Sequence, residues 1–187
     1  MGGLIKTPIL KCFFQEHKKL KKEILEMINS SKADNLYCKD SYMNDAIYRL
    51  DWKDSNNFER NWVKVFKPHL ENTLKNLIYK IGLTKIILYN VWYQQYQQQG
   101  KHGWHTHGNN FTGVYYLDFD KKIHPTTDIL NPLNPKEIIS MDTEEGDLIA
   151  FPSYLIHRGG LNLSKNIKTI ISFNFDAQDP AFKYIKN

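Results

Sequence analysis

The 187-residue sequence predicts a mainly β fold with flanking α-helices, and three observations carry that expectation. After Gly82 the chain breaks into short β-branched or aromatic runs: KIILYNVWYQQYQ, NFTGVYYLDFD, EIISM, DLIAF and KTIISFNF. Such residues fit a pleated, half-buried surface. Gly, Asn, Pro and Asp punctuate the runs with no helical pattern between them, which suggests an antiparallel sandwich or jelly-roll barrel and not a parallel sheet. Before Gly82, two amphipathic stretches have helical periodicity. With 41% hydrophobic and 13% aromatic residues, a chain of this length can bury a core without staples and is not intrinsically disordered.

In chain order, TPILKCFF at 7–14 is an apolar, strand-like piece. In EHKKLKKEILEMINSS, Leu20, Ile24, Met27 and Ile28 fall on one face at helical spacing, so this segment is an amphipathic helix. AIYRLDW at 46–52 reads as a short strand. FKPHLENTLKNLIYKIG at 66–82 carries Leu70, Leu74, Leu77, Ile78 and Ile81 as an apolar stripe. Pro68 suits the first turn of that helix, where no N–H is needed, and Gly82 suits its stop. Both helices are expected to pack outside the sheet. KKIHPTTDILNPLNPK at 121–136 reads as a loop. With no repeat or linker in view, one domain is expected over 1–187, with 1–84 as strand and helix support, 85–176 as the β core and 177–187 as a tail.

Several function classes drop out. Cys12 and Cys38 are too few for a disulfide scaffold and form no CxxC pair. The start MGGLIKTPIL lacks a signal-peptide core, and no apolar run approaches the roughly 18 residues of a membrane span, so a cytoplasmic location without membrane contact is expected. Gly2 is followed by Lys6 where a myristoylation signal has Ser or Thr. The net charge of +5 comes from scattered lysines, which describes a solvated surface better than a nucleic-acid partner. GxSxG, GxxxxGK[ST], GxGxxG and HExxH are absent.

What remains is the stretch WHTHGNNFTGVYYLDFD at 104–120. In an extended chain residues i and i+2 share a face, so His105 and His107 can aim their ring nitrogens at one point, where a metal ion is the simplest occupant. His157, in GDLIAFPSYLIHRGG, is the candidate third ligand. Lys168 opens the apolar strand KTIISFNF, with Ile170 and Ser172 on its face, and a lysine there needs an anion. His102 reads as exposed or as a support for the ligands, while His17, His69 and His124 read as surface residues.

The ordered pattern Y-x3-G-x4-H-x-H, TGVYYLD, GDLIAFPS-x3-H and a basic residue before TIISFN resembles the iron(II)- and 2-oxoglutarate-dependent oxygenases. The resemblance covers about residues 86–175 and is narrower still to a branch with an HxH motif, with a YYLD strand similar to that of prolyl hydroxylases. It implies a double-stranded β-helix, a cupin-like jelly roll with N-terminal support helices, holding Fe(II) at its mouth. By that resemblance His105, His107 and His157 are the metal ligands and the catalytic centre, with His107 where the carboxylate of an H-x-(Asp/Glu) pair usually stands. An imidazole in place of a carboxylate leaves the site one charge more positive, and the dianionic cosubstrate brings it to neutral. The resemblance further assigns Lys168 and Tyr116 to the far carboxylate of 2-oxoglutarate and Tyr96 to the same cosubstrate pocket, for which Asn90 and Asn174 are additional candidates. It implies a dioxygenase using Fe(II), 2-oxoglutarate and O2 to hydroxylate a C–H bond of a protein side chain or small molecule. The competing expectation is a cupin-like metal-binding protein, a non-oxidative enzyme or a sensor, using the same three histidines with another metal.

Overall fold

The computed structural model describes residues 8–39 and 44–179, so Gly2, Lys6 and the tail from 180 onward lie outside the described residues. Two antiparallel sheets and two helices make up the architecture. The larger sheet has the order β1-β9-β6-β11-β4-β3-β2. Its strands are β1 (Leu10–Phe13), β2 (Asp34–Lys39), β3 (Asn44–Leu50), β4 (Lys85–Tyr96), β6 (Phe111–Asp118), β9 (Asp147–Pro152) and β11 (Lys168–Gln178). The smaller sheet runs β5-β10-β7-β8, from β5 (His102–His105), β7 (Thr127–Leu130), β8 (Ile138–Ser140) and β10 (His157–Gly159). This is a double-stranded β-helix.

Strand alternation sorts side chains into two cores. Tyr96, Val114, Tyr116, Ile149, Phe151 and Ile170 of the larger sheet meet Ile129 of the smaller one inside the barrel. On the outer face, Tyr93, Tyr115, Leu148, Ile171 and Phe173 pack against the helices α1 (His17–Ser30) and α2 (Asn61–Tyr79). The adjacent Tyr115 and Tyr116 thus enter different cores, as period two requires. Among the described residues no helix is long and apolar enough to cross a membrane.

The helix stripes fall where periodicity puts them: Leu20, Ile24 and Ile28 of α1 are buried, with Met27 at the margin. The α2 helix starts earlier than expected, however, and Pro68 is its eighth residue, not part of a first turn. Trp62, Val63 and Phe66 extend the buried stripe upstream, and Pro68 sits on the exposed side, where burial of the opposite face offsets its missing hydrogen bond. At the other end Gly82 turns the chain out with φ +82°. Residues 121–136 are not all loop, because TDIL forms β7 and pairs with β10. β1, β2 and β3 join the larger sheet, so strands from 1–84 extend the barrel wall.

Two histidines read as surface residues are buried. His17 Nδ1 shares a 2.7 Å hydrogen bond with the Tyr115 hydroxyl, and its Nε2 lies 3.3 Å from Glu145. His124 Nδ1 accepts the Asp120 N–H at 3.0 Å and its Nε2 donates to Asn166 O at 3.2 Å. Both imidazoles work as connectors between chain segments, which short-range patterns do not reveal.

Candidate metal and cosubstrate site

The smaller sheet brings the three histidines together. β10 pairs antiparallel with β5, and His157 is the register partner of His105, which sets their ring centroids 4.3 Å apart. His107 lies just beyond β5, tied down by its N–H donating to Ser153 O at 3.2 Å. Its ring is 5.0 Å from that of His105 and 5.2 Å from that of His157. One ligand nitrogen from each of the three falls within 4.8 Å of the others. Asp118, a carboxylate that could have taken the third position, instead meets Lys21 at 2.8 Å.

Hydrogen bonds fix which nitrogens are free. His105 Nδ1–H donates to Gly103 O and His157 Nδ1–H donates to Leu155 O, each at 2.8 Å, leaving Nε2 of both as a lone-pair donor. Burial lowers the pKa of all three rings, to about 4 for His107 and about 3 for His157, and in those two the neighbouring imidazoles add to the drop. Neutral imidazoles are the metal-binding form, and three with converging nitrogens fit a divalent transition ion. His102 is a fourth ring at the site, stacked on His105 at 3.9 Å, with its Nδ1 accepting from Gln94 Nε2 at 3.3 Å.

Deeper in the barrel, Lys168 is the register partner of Tyr96 and shares its inward face. It is 1% exposed, its Nζ donates to Pro125 O at 2.9 Å and sits 4.7 Å from the centre of the Tyr96 ring. Burial pulls its pKa from 10.5 down to about 7, with Asp128 opposing weakly, and also pushes the Tyr96 phenol well above its usual value. The Tyr116 hydroxyl donates to Thr127 Oγ1 at 2.8 Å and accepts the Thr127 N–H at 3.1 Å. A buried lysine with one carbonyl acceptor suits the carboxylate end of a diacid. Asn90 and Asn174 face each other in register six residues from Lys168, on the order of 20 Å along β11. They are not beside the lysine.

Sequence reasoning overlooked Trp92 and Gln94, which line the cavity between the histidines and β11. Counting back from Tyr96 by twos along β4 would have found both. Arg158, beside His157, also lines the opening, bonded to Asp128 at 2.9 Å and stacked over Trp104 at 4.4 Å.

Comparison with known proteins follows this geometry. The profile of a family described as "Putative 2OG-Fe(II) oxygenase" matches residues 90–174, which hold all three histidines and Lys168. A prolyl-4-hydroxylase from Pseudomonas putida is similar in structure, with TM-score 0.63 at 10% identity over 90% of this chain and 93% of its own. A Trichoplax adhaerens prolyl hydroxylase in complex with a hypoxia inducible factor peptide fragment gives 0.64 at 14% identity, over 97% and 88%. The epimerase SnoN from nogalamycin biosynthesis, in complex with Fe3+, alpha ketoglutarate and nogalamycin RO, gives 0.65 at 10% identity, over 92% and 79%. Comparison with curated protein sequences gives no match. The cofactors of the matched family, Fe(II) and 2-oxoglutarate, suit the donor set of the barrel. Family match, barrel and histidine cluster all rest on one stretch of chain, so residues 90–174, a little under half of it, are similar to the 2OG-Fe(II) oxygenases.

Proposed function

We propose that the protein is a dioxygenase that hydroxylates a C–H bond of a protein side chain or a small molecule. In this reading His105, His107 and His157 hold Fe(II), and Lys168 receives the far carboxylate of 2-oxoglutarate with Tyr116 and Tyr96 beside it. The observation that carries it is the pairing of two features in one barrel: converging neutral histidines at the mouth and a buried, nearly unpartnered ammonium beneath. When bound, the iron and cosubstrate together activate O2, so that the 2-oxo acid becomes succinate and CO2 as C–H becomes C–OH. The chain supplies the rest. Gly103 O and Leu155 O hold two rings with Nε2 forward, and the barrel wall excludes water from the reacting centre.

A cupin-like metal protein with the same histidines has no use for Lys168, whose burial is costly without an anion to meet. The similarity to a prolyl hydroxylase in complex with a peptide supports a peptide among the substrates to test first. The deciding experiment is an anaerobic titration of the Fe(II) protein with 2-oxoglutarate, followed by the visible metal-to-ligand charge-transfer band and by calorimetry. A saturable band at one equivalent is expected. Metal binding with neither a band nor cosubstrate heat would refute the reading.

A further inference from the structure

Asp45 on β3 is 7% exposed, and no lysine or arginine pairs with it among the described residues. Burying a carboxylate without a cationic partner is costly, so a charge kept there calls for a reason. The other buried aspartates have theirs: Asp51 meets Arg60, and Asp147 meets Lys11 at 3.1 Å. Ile47, two residues on from Asp45, packs inside the barrel, so strand alternation aims Asp45 inward as well.

What Asp45 meets there is β5. Its Oδ1 accepts the Gly103 N–H at 2.7 Å and lies 3.9 Å from Nε2 of His102. Gly103 passes the constraint on, because its own carbonyl accepts Nδ1–H of His105 at 2.8 Å. Reciprocal backbone hydrogen bonds between Ala46 and Lys101, each 2.9 Å, clamp β3 against the start of β5 and fix where the carboxylate falls. The ring of His102 lies between strands, stacked on that of His105 with centroids 3.9 Å apart. His105 feels the carboxylate: burial lowers its pKa, and the Gly103 hydrogen bond and then the Asp45 charge oppose that drop.

Three neutral imidazoles leave both charges of a divalent ion without compensation from any ligand. We propose that Asp45 is a positioning residue of the metal centre, which holds Gly103 so that His105 presents Nε2 to the ion and supplies from behind that ring the negative charge the ligands lack. A carboxylate behind a ligating imidazole orients the ring and makes it a stronger donor. Here Gly103 stands between the two. The inference rests on the reading of His105, His107 and His157 as metal ligands, and on neither the cosubstrate nor the reaction.

The test measures the Co(II) affinity of the metal-free protein by competition with a chromophoric chelator, without 2-oxoglutarate, in the wild type, Asp45→Asn, His107→Asp and the double variant. Asparagine keeps the shape and an acceptor oxygen for Gly103 while deleting the charge. Asp45→Asn should weaken Co(II) binding roughly 10- to 100-fold, the usual loss when the outer partner of a ligand is removed. His107→Asp brings a carboxylate into the ligand set itself, so in that background the same substitution should cost no more than about threefold. A merely structural role gives equal losses in both backgrounds, and that result overturns the inference, as does unchanged affinity in Asp45→Asn. Either outcome leaves the oxygenase reading standing, whereas a wild-type protein that binds no Co(II) removes both. If Asp45→Asn does not fold, the amide resonances of the wild type decide: the Gly103 proton should lie far downfield, as in a charge-assisted hydrogen bond, and move as Zn(II) fills the site. A Gly103 amide that Zn(II) leaves unmoved overturns the proposal.

Discussion

Replacing Lys168 with methionine should stabilise the metal-free protein while abolishing its response to 2-oxoglutarate. Burial holds this lysine near pKa 7 against 10.5 in an unfolded chain, so the folded state binds fewer protons than the unfolded state between those values. Stability attributable to this group therefore rises with pH across that window and is lowest below it. At 1.36 kcal/mol per pKa unit the penalty is about 4 kcal/mol at pH 7 and about 1 kcal/mol at pH 9.5. Methionine fills the stem volume without the charge but orphans Pro125 O, a loss of about 1 kcal/mol. The net gain at pH 7 is about 2–3 kcal/mol, or a rise in Tm of roughly 5–10 °C, shrinking to about zero at pH 9.5. Thermal melts of both proteins at the two pH values read the first half. Calorimetric titration of the anaerobic Mn(II) proteins with 2-oxoglutarate reads the second. A variant that melts lower at pH 7, with the same gap at pH 9.5, would refute the burial argument, and retained cosubstrate affinity would refute the assignment of Lys168.

Three further expectations follow from the geometry. His105→Ala and His157→Ala should each lose stoichiometric Fe(II) binding with the fold intact, as read by metal content and circular dichroism; unchanged iron in both would dismiss the site. His107→Asp should keep iron, since a carboxylate there restores the commoner ligand set, and loss of metal in that variant would argue that His107 is no ligand. Gly113→Ala should lower Tm by several degrees without touching metal affinity, because the new methyl would lie 2.3 Å from the Phe173 ring and 2.6 Å from Ile149 O, in a sheet that cannot give way. Normal stability in that variant would mean that the β6–β11 contact is looser than the structure describes.

What the sequence made legible was periodic. Alternation separated Tyr115 from Tyr116 and put Lys168 on the face of Ile170 and Ser172, and spacing three and four gave both helix stripes. The histidine pair and Lys168 were conspicuous because polar groups interrupt apolar strands there. Less visible were features decided by distant partners. TDIL became a strand because β10 lay ready to pair with it, and four residues between turn signals carry little local evidence. His17 and His124 look like solvent-facing residues until Tyr115 and Asn166 arrive from 98 and 42 residues away. Pro68 misled for the same reason: Trp62 and Phe66 find their neighbours only in the folded core, and their burial carries the helix past a residue that discourages it.

The smaller sheet consists of strands three or four residues long, whereas β4 and β11, on the opposite wall, pair over eleven register positions. Short ladders have few hydrogen bonds to lose, so this sheet is the part of the fold that opens at least cost. Two of the three histidines sit on its edge strand β5 and the neighbouring β10. An ion bound there acts as a cross-link between strands that otherwise hold each other weakly, and its release should be felt as local fraying. Amide exchange in β5, β10 and β7 should accelerate on chelation while β4 and β11 stay protected, making the mouth of the barrel a metal-gated hem on a permanently sewn garment.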